Sequence, residues 1–132
     1  MTIEEVARDP GPGQALLYGT TRLFLERLGL DFELLDSGCC GLAGSFGFER
    51  KHHEISVKIG EHRLLPRVRE AGKDTLLLAD GFSCKTQIEE LTQRRALHTA
   101  QVIKMAMEHG PDGVPGNEPE RAYPDVVLNG RY

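Results

Sequence analysis

The stretch "TLLLA", Thr75–Ala79, limits the possible folds more than any other part of the chain. It is a continuous apolar run of strand length, bounded by Lys73 and Asp74 before it and by the turn-former "DG" after it. A strand that faces water on one side alternates apolar and polar residues, whereas one apolar throughout is covered on both faces. Such a strand needs a layer on each side, and the flanking segments carry helical spacing.

From Gln14 onward, Leu16, Leu17, Tyr18, Leu23, Phe24 and Leu28 share a broad apolar face, and Gly29 stops the helix. Asp31–Leu35, "DFELL", reads as a short strand closed by "DSG". In "ERKHHEISVKIGEHRLLPRVREAGKD", Ile55 and Ile59 are four apart, and Leu65 and Val68 three apart. That spacing predicts one helix broken near Pro66, or two short ones, because an interior proline removes a donor and clashes with the preceding turn. After Ala79, "SCKTQIEELTQRRALHTAQVIKMAMEH" is helical, with Ser83 as N-cap and a break near Arg94. Its apolar positions are Ile88, Leu91, Ala100, Ile103 and Met107. Helix, strand, helix, strand, helix is an α/β pattern. The expectation is a small parallel sheet flanked by helices, a Rossmann-like three-layer arrangement joined by right-handed crossovers.

Both ends read differently. "RDPGPG" predicts a flexible arm over residues 1–12, residues 13–109 form the α/β domain, and Pro/Gly-rich 110–132 reads as a tail. No internal repeat is visible. At 132 residues the chain is long enough for one core. With 39% hydrophobic and 27% charged residues it belongs with ordinary soluble domains. A net charge of −4 without a basic stripe argues against nucleic acid as a partner. No apolar run approaches the ~20 residues of a membrane span. The acidic start lacks the layout of a secretion signal, so a reducing cytoplasm is the expected location. Three cysteines are too few for a disulfide scaffold and are left free, metal-bound or catalytic.

Two of those cysteines are adjacent. In "LDSGCCGLAGSFGFE", Cys39 and Cys40 lie among Gly38, Gly41 and Gly44, glycines that are costly in regular structure and suit a backbone bent around something. In a parallel sheet the loops after strands emerge at one carboxyl edge, where such folds bind ligands. Cys39 and Cys40 follow the first expected strand and Cys84 the second, so sulfurs far apart in sequence are expected to meet. Several chemistries suit them. Cysteine is often just a small buried hydrophobe. A vicinal disulfide is strained and disfavoured in a reducing compartment. Soft thiolates select iron–sulfur clusters, zinc or copper(I). Cys84 at a helix N-terminus beside Lys85 also has the setting of a reactive thiol. His52 and His53 lie in a charged, solvated stretch, and Asp80 is accounted for by its turn. "GLAGSFG" lacks the Lys-Ser/Thr of a phosphate loop.

Together, "LDSGCCGLAGSFGFE", "ISVKIGEHRLLPRV" and "LLLADGFSCKTQIEELTQRRALHTAQV" resemble the cysteine-rich CCG domain, over roughly Gln14 to Met107. That module is found in FAD-linked oxidases and dehydrogenases of 2-hydroxy acids, in glycolate-oxidase-type iron–sulfur subunits and in heterodisulfide reductases. The resemblance implies that Cys39, Cys40 and Cys84 are metal ligands. It also implies that Gly38, Gly41 and Gly44 let backbone pass close to a cofactor and donate amide hydrogen bonds to it. The implied cofactor is an iron–sulfur cluster, with zinc or no metal as the alternatives. Two departures stand out. The segment expected to carry a further thiolate is "DPGPGQALLYG", without Cys or His, and Cys84 is followed three places later by Gln87, as in the FAD-linked branch, rather than by the second Cys of the heterodisulfide-reductase type. Three thiolates are one short of a four-cysteine cluster. The flavin domain is absent too, so no catalytic residue is assigned.

The functional expectation is a metal- or cluster-binding redox domain in an electron-transfer assembly, beside a redox protein partner or a second copy that supplies the missing donor. The alternatives are a cluster-free domain with a structural or partner-binding role, and a thiol enzyme acting through Cys84.

Overall fold

Leu76, Leu77 and Leu78 are all fully buried, as an all-apolar strand requires, and they divide between two separate cores. In the computed structural model, which describes residues 2–7, 23–36, 38–116 and 118–122, this strand belongs to a four-stranded parallel sheet. In chain order the elements are β1 (Thr2–Ala7), α1 (helical over residues 23–27), β2 (Asp31–Asp36), α2 (His53–His62), α3 (Leu64–Glu70), β3 (Leu76–Leu78), α4 (Phe82–Leu91), β4 (Ala96–Leu97) and α5 (Thr99–His109). The sheet order is β2-β1-β3-β4. Thr2 pairs with Asp31 through to Ala7 with Asp36, Ile3 with Leu76, and Leu77 with Ala96.

Alternation along β3 builds the three layers. Leu76 and Leu78, with Leu97, pack against Leu25 of α1 and Val102, Met105 and Ala106 of α5. Leu77 and Ala79, with Ala96, pack against Leu64, Leu65 and Val68 of α3, Ile88 of α4, and Cys40 and Leu42 of the loop after β2. The expected α/β architecture is therefore present, helices covering both faces of a parallel sheet.

The N-terminal segment departs from the expected arm. Thr2–Ala7 is a strand lying between β2 and β3. Its place comes from two backbone ladders rather than from an apolar pattern, so "TIEEVA" carried no strand signal of its own. The expected helix over Gln14 to Arg22, including Leu16, Leu17 and Tyr18, lies outside the described residues, as do residues 123–132 of the expected tail.

Further on, Pro66 sits in the first turn of α3, where the missing N–H has no helical partner to lose, and the break falls at Arg63. The helical stretch after Ala79 is broken near Arg94, as expected, but the break holds the two-residue strand β4 between α4 and α5. That interruption re-phases the apolar stripe. α5 buries Val102, Met105 and Ala106, while Met107 is 78% exposed. The segment after α5 is not loose throughout: Pro119–Ala122 forms a turn of 3-10 helix in which Pro119 and Glu120 are buried.

Candidate functional site: a thiol pair at the carboxyl edge

β2 and β3 both end at the same edge of the sheet, with β1 between them. The loop after β2 carries Gly38, Cys39 and Cys40; α4, just after β3, carries Cys84 in its first turn. An order in which β1 is flanked by β2 and β3 marks a topological switch, the place where open α/β sheets form ligand crevices. The loop reaches past the end of β1 to meet α4. Gly44 N–H donates to Ser83 Oγ at 3.1 Å. Ser83 is thus a contact between the two loops and not the helix cap, a position held by Gly81.

Cys40 and Cys84 come together. The Cys84 thiol donates a hydrogen bond to the Cys40 sulfur, and both pack in the core under α3 and α4. This contact is the largest influence on Cys40, whose pKa falls from 9.0 to about 6. Burial opposes the shift, and the backbone amides of Leu42, Ala43 and Cys40 itself reinforce it. Those amides converge because the loop is curled: φ is +89° at Gly41, +45° at Ala43 and +66° at Gly44. Successive N–H groups turned inward this way form a nest for an anion, here a thiolate.

Cys39 faces elsewhere. Its sulfur is exposed and accepts from Gly41 N–H at 3.4 Å. It lines a largely apolar cleft of about 380 Å³ with Gly38 and with Ile55, Lys58, Ile59 and His62 of α2. Among the described residues, no three His, Cys, Asp or Glu side chains gather closely enough to hold a metal ion. The three cysteines therefore resolve into a pair, Cys40 and Cys84, and a neighbour, Cys39, on another side of the loop.

Four residues set this geometry: Gln87, which the sequence marked only as standing where a second Cys could be, and Ser56, Gly60 and Gly47, which it passed over. Gln87, 3% exposed and one helical turn beyond Cys84, donates its side-chain amide to the Cys40 carbonyl at 3.1 Å and to Ser56 Oγ at 3.2 Å. Ser56 and Gly60 are the buried positions of α2, in place of the expected Ile55 and Ile59, which are 50% and 37% exposed. They are small because the loop lies directly on them. A Cβ on Gly60 would stand 2.8 Å from the Cys40 carbonyl oxygen, and one on Gly47 2.4 Å from Ser56 Oγ. A run of two small residues four apart on α2 was the available signal, but it is weak beside the isoleucines next to them.

Of the expected glycines, Gly41 has a packing reason: its Cβ would lie 2.2 Å from the Ser56 carbonyl oxygen. Gly44 has open space around it, and Gly38 has only the Arg63 stem nearby at 3.6 Å. Two of the histidines, His52 and His98, are engaged in structure, while His53 is exposed. His52 stacks on Phe46 with ring centroids 4.1 Å apart. His98 Nδ1 accepts from Ala100 N–H in a capping box that opens α5. Asp80 accepts from the Thr99 amide and hydroxyl at 2.7 and 2.8 Å, fastening the end of β3 to α5.

Known proteins resemble this chain in part. Over 93 residues, 67% of the chain, it is 38% identical to one of the polypeptides of the anaerobic glycerol-3-phosphate dehydrogenase of Escherichia coli K12, covering 23% of that relative. Over 77 residues it is 34% identical to D-2-hydroxyglutarate dehydrogenase of Pseudomonas putida, covering 58% of the chain and 7% of the relative. The Pantoea ananatis D-2-hydroxyglutarate dehydrogenase is 31% identical over 100 residues, 75% of the chain and 9% of the relative. No family model and no solved structure matches. The chain spans less than a quarter of each of these relatives, so it is kin to a portion of redox enzymes.

Proposed function

We propose that this chain is a CCG-type redox module of an FAD-linked dehydrogenase assembly, one that contributes cysteine sulfur to a metal or iron–sulfur centre. The observation that carries the reading is the contact between Cys40 and Cys84, two sulfurs from different loops converging at the edge where such sheets bind ligands. Relatives that are dehydrogenases support it from sequence.

The donor set fits part of such a centre. Cys40 and Cys84 are paired, and the nest of amides around Cys40 favours its thiolate, the form that binds metal. Cys39 would have to turn out of the α2 cleft to join them. Residues 8–22, which follow β1, contain neither Cys nor His. A four-thiolate cluster does not fit these 132 residues alone, and its remaining donors would come from outside them.

Titration of the reduced chain with cobalt(II), a stand-in for zinc, tests the reading. Thiolate-to-cobalt charge-transfer absorption, weakened at least tenfold in Cys84→Ala, is the expected result. Iron and acid-labile sulfide are measured in parallel on anaerobically purified protein. Protein that takes up neither cobalt through sulfur nor iron would sink the proposal.

A second reading is a cluster-free domain that binds a partner. Gln87, at the place where a further thiol would complete a Cys-x-x-Cys pair, favours it, as do exposed Phe48, Ile55 and Phe82. Metal-free protein that nonetheless associates stably with another polypeptide of the assembly is its expected signature.

A further inference from the structure

The two sulfurs have a chemistry open to them that needs no metal. We propose that Cys40 and Cys84 form a reversible dithiol–disulfide centre, oxidised by small disulfides of the glutathione type. The proposal shares the sulfur pair with the reading above but not its metal.

Three features carry it. The two thiols are hydrogen-bonding neighbours in one core cluster, on a loop and a helix that are tied directly to each other. Their supports are locked, since Gly44 N–H holds Ser83, and Gln87 of the Cys84 helix holds the Cys40 carbonyl. Access is graded, with Cys40 buried and Cys84 half-buried in the first turn of α4. Cys39, the adjacent competitor, is turned into the α2 cleft and held by Gly41 N–H.

The graded access orders the steps. Cys84 is the sulfur that a small disulfide reaches. Cys84 passes its proton to the Cys40 thiolate and attacks one sulfur of the reagent; the S–S bond breaks and one thiolate leaves, giving a mixed disulfide on Cys84. Cys40 then attacks the Cys84 sulfur and expels the second thiolate. The one proton the pair holds, passed from Cys84 to Cys40, is released as Cys40 attacks, and with one from solvent it ends on the two released thiols. The protein loses two electrons and the reagent is reduced to two thiols. Glutathione in excess reverses both steps. In the disulfide neither sulfur carries the anionic charge that binds a soft metal, so oxidation would also withdraw both ligands at once.

The test uses the full chain, chelator-treated and anaerobic, equilibrated with mixtures of reduced and oxidised glutathione and quenched by alkylation in acid. The expected oxidised product has lost two of its three thiols, carries no glutathione, yields a linked Cys40–Cys84 peptide and keeps Cys39 alkylated. Cys39→Ser is expected to lose both remaining thiols in the same way, and Cys40→Ser to accumulate glutathione on Cys84. A lasting glutathione adduct on the natural chain, a Cys39–Cys40 link or a chain-to-chain disulfide would overturn the proposal. Where Cys40→Ser does not fold, Cys39→Ser decides the matter, since retention of its two thiols is equally fatal. Cobalt binding by the reduced chain is read separately, so either proposal can fail without the other.

Discussion

Gln87 holds the Cys40 carbonyl through a 3.1 Å hydrogen bond from its side-chain amide, and the same nitrogen reaches Ser56 Oγ at 3.2 Å. One buried side chain thus ties α4, α2 and the cysteine loop together. Replacing it with leucine leaves the Cys40 carbonyl without this donor, and a lost buried partner costs ~1–3 kcal/mol. The expected result for Gln87→Leu is an unfolding free energy in urea lowered by that amount, with Cys40 more readily alkylated because the loop no longer seats against α4. Gln87→Glu keeps the shape but can donate only when protonated, so its stability should improve as the pH falls. A Gln87→Leu protein with unchanged stability and unchanged thiol reactivity would mean that this amide does not hold the loop.

Gly41 and Gly44 separate packing from conformation. Both have positive φ, but a methyl at Gly41 meets the Ser56 carbonyl at 2.2 Å, while one at Gly44 meets nothing within 4 Å. Gly44→Ala is expected to cost only about 1–2 kcal/mol, the penalty of a left-handed residue. Gly41→Ala must also push the loop off α2 and should cost clearly more, with loss of the Cys40–Cys84 contact. Circular dichroism during denaturation, alongside thiol titration, checks both; equal costs would show that clearance over α2 is not what selects glycine at position 41.

Cys40 gives the metal-free protein a pH dependence of definite sign. Its pKa is lowered from 9.0 to about 6, first by the Cys84 hydrogen bond. Unfolding releases the thiol to its ordinary value, so the depressed pKa stabilises the fold fully above pH 9. The contribution shrinks as pH falls from 9 to 6 and is absent below that. Its size is on the order of a few kcal/mol. Ultraviolet thiolate absorbance should therefore titrate near pH 6 in the natural chain and move upward in Cys84→Ala. An unmoved titration in that variant would mean the amide nest alone sets the value.

The fold was legible where a segment's own sequence carried its reason. The "TLLLA" run announced a strand covered on both faces, and a parallel sheet then required Cys40 and Cys84 to approach one edge. Elements held by their neighbours were not legible. β1 exists through its two ladders, and β4 is two residues long, so neither shows a pattern. Periodicity misjudged α2 for a related reason: its buried face is Ser56 and Gly60, which fit under a loop, while Ile55 and Ile59 face outward. Sequence could place the cysteines in one neighbourhood but not orient them. Cys39 and Cys40, though adjacent, diverge: Cys40 is buried and Cys39 lines the α2 cleft.

At the opposite edge of the sheet, Arg94 and Glu120 form an ion pair that fixes the segment after α5. Arg94 Nε donates to Glu120 Oε1 at 2.7 Å, and the two side chains are only 8% and 2% exposed. The guanidinium also donates to the carbonyls of Gly72, at 3.1 Å, and Thr75, so it staples the entry to β3 as well. A pair this buried contributes little net stability when intact, because each ion gives up its hydration. Breaking it is another matter, since Glu120→Ala strands a buried guanidinium and is expected to cost ~3–5 kcal/mol. The double change Arg94→Met with Glu120→Leu should recover part of that loss: no charge is left to desolvate, but the Gly72 and Thr75 carbonyls lose their donor. The thiol pair lies at the far edge, so Cys40 should keep its titration near pH 6 in both variants while the urea midpoint falls further in the first. A single variant as stable as the parent would place Glu120 in contact with water, and a shifted Cys40 titration would reveal coupling between the two edges of the sheet.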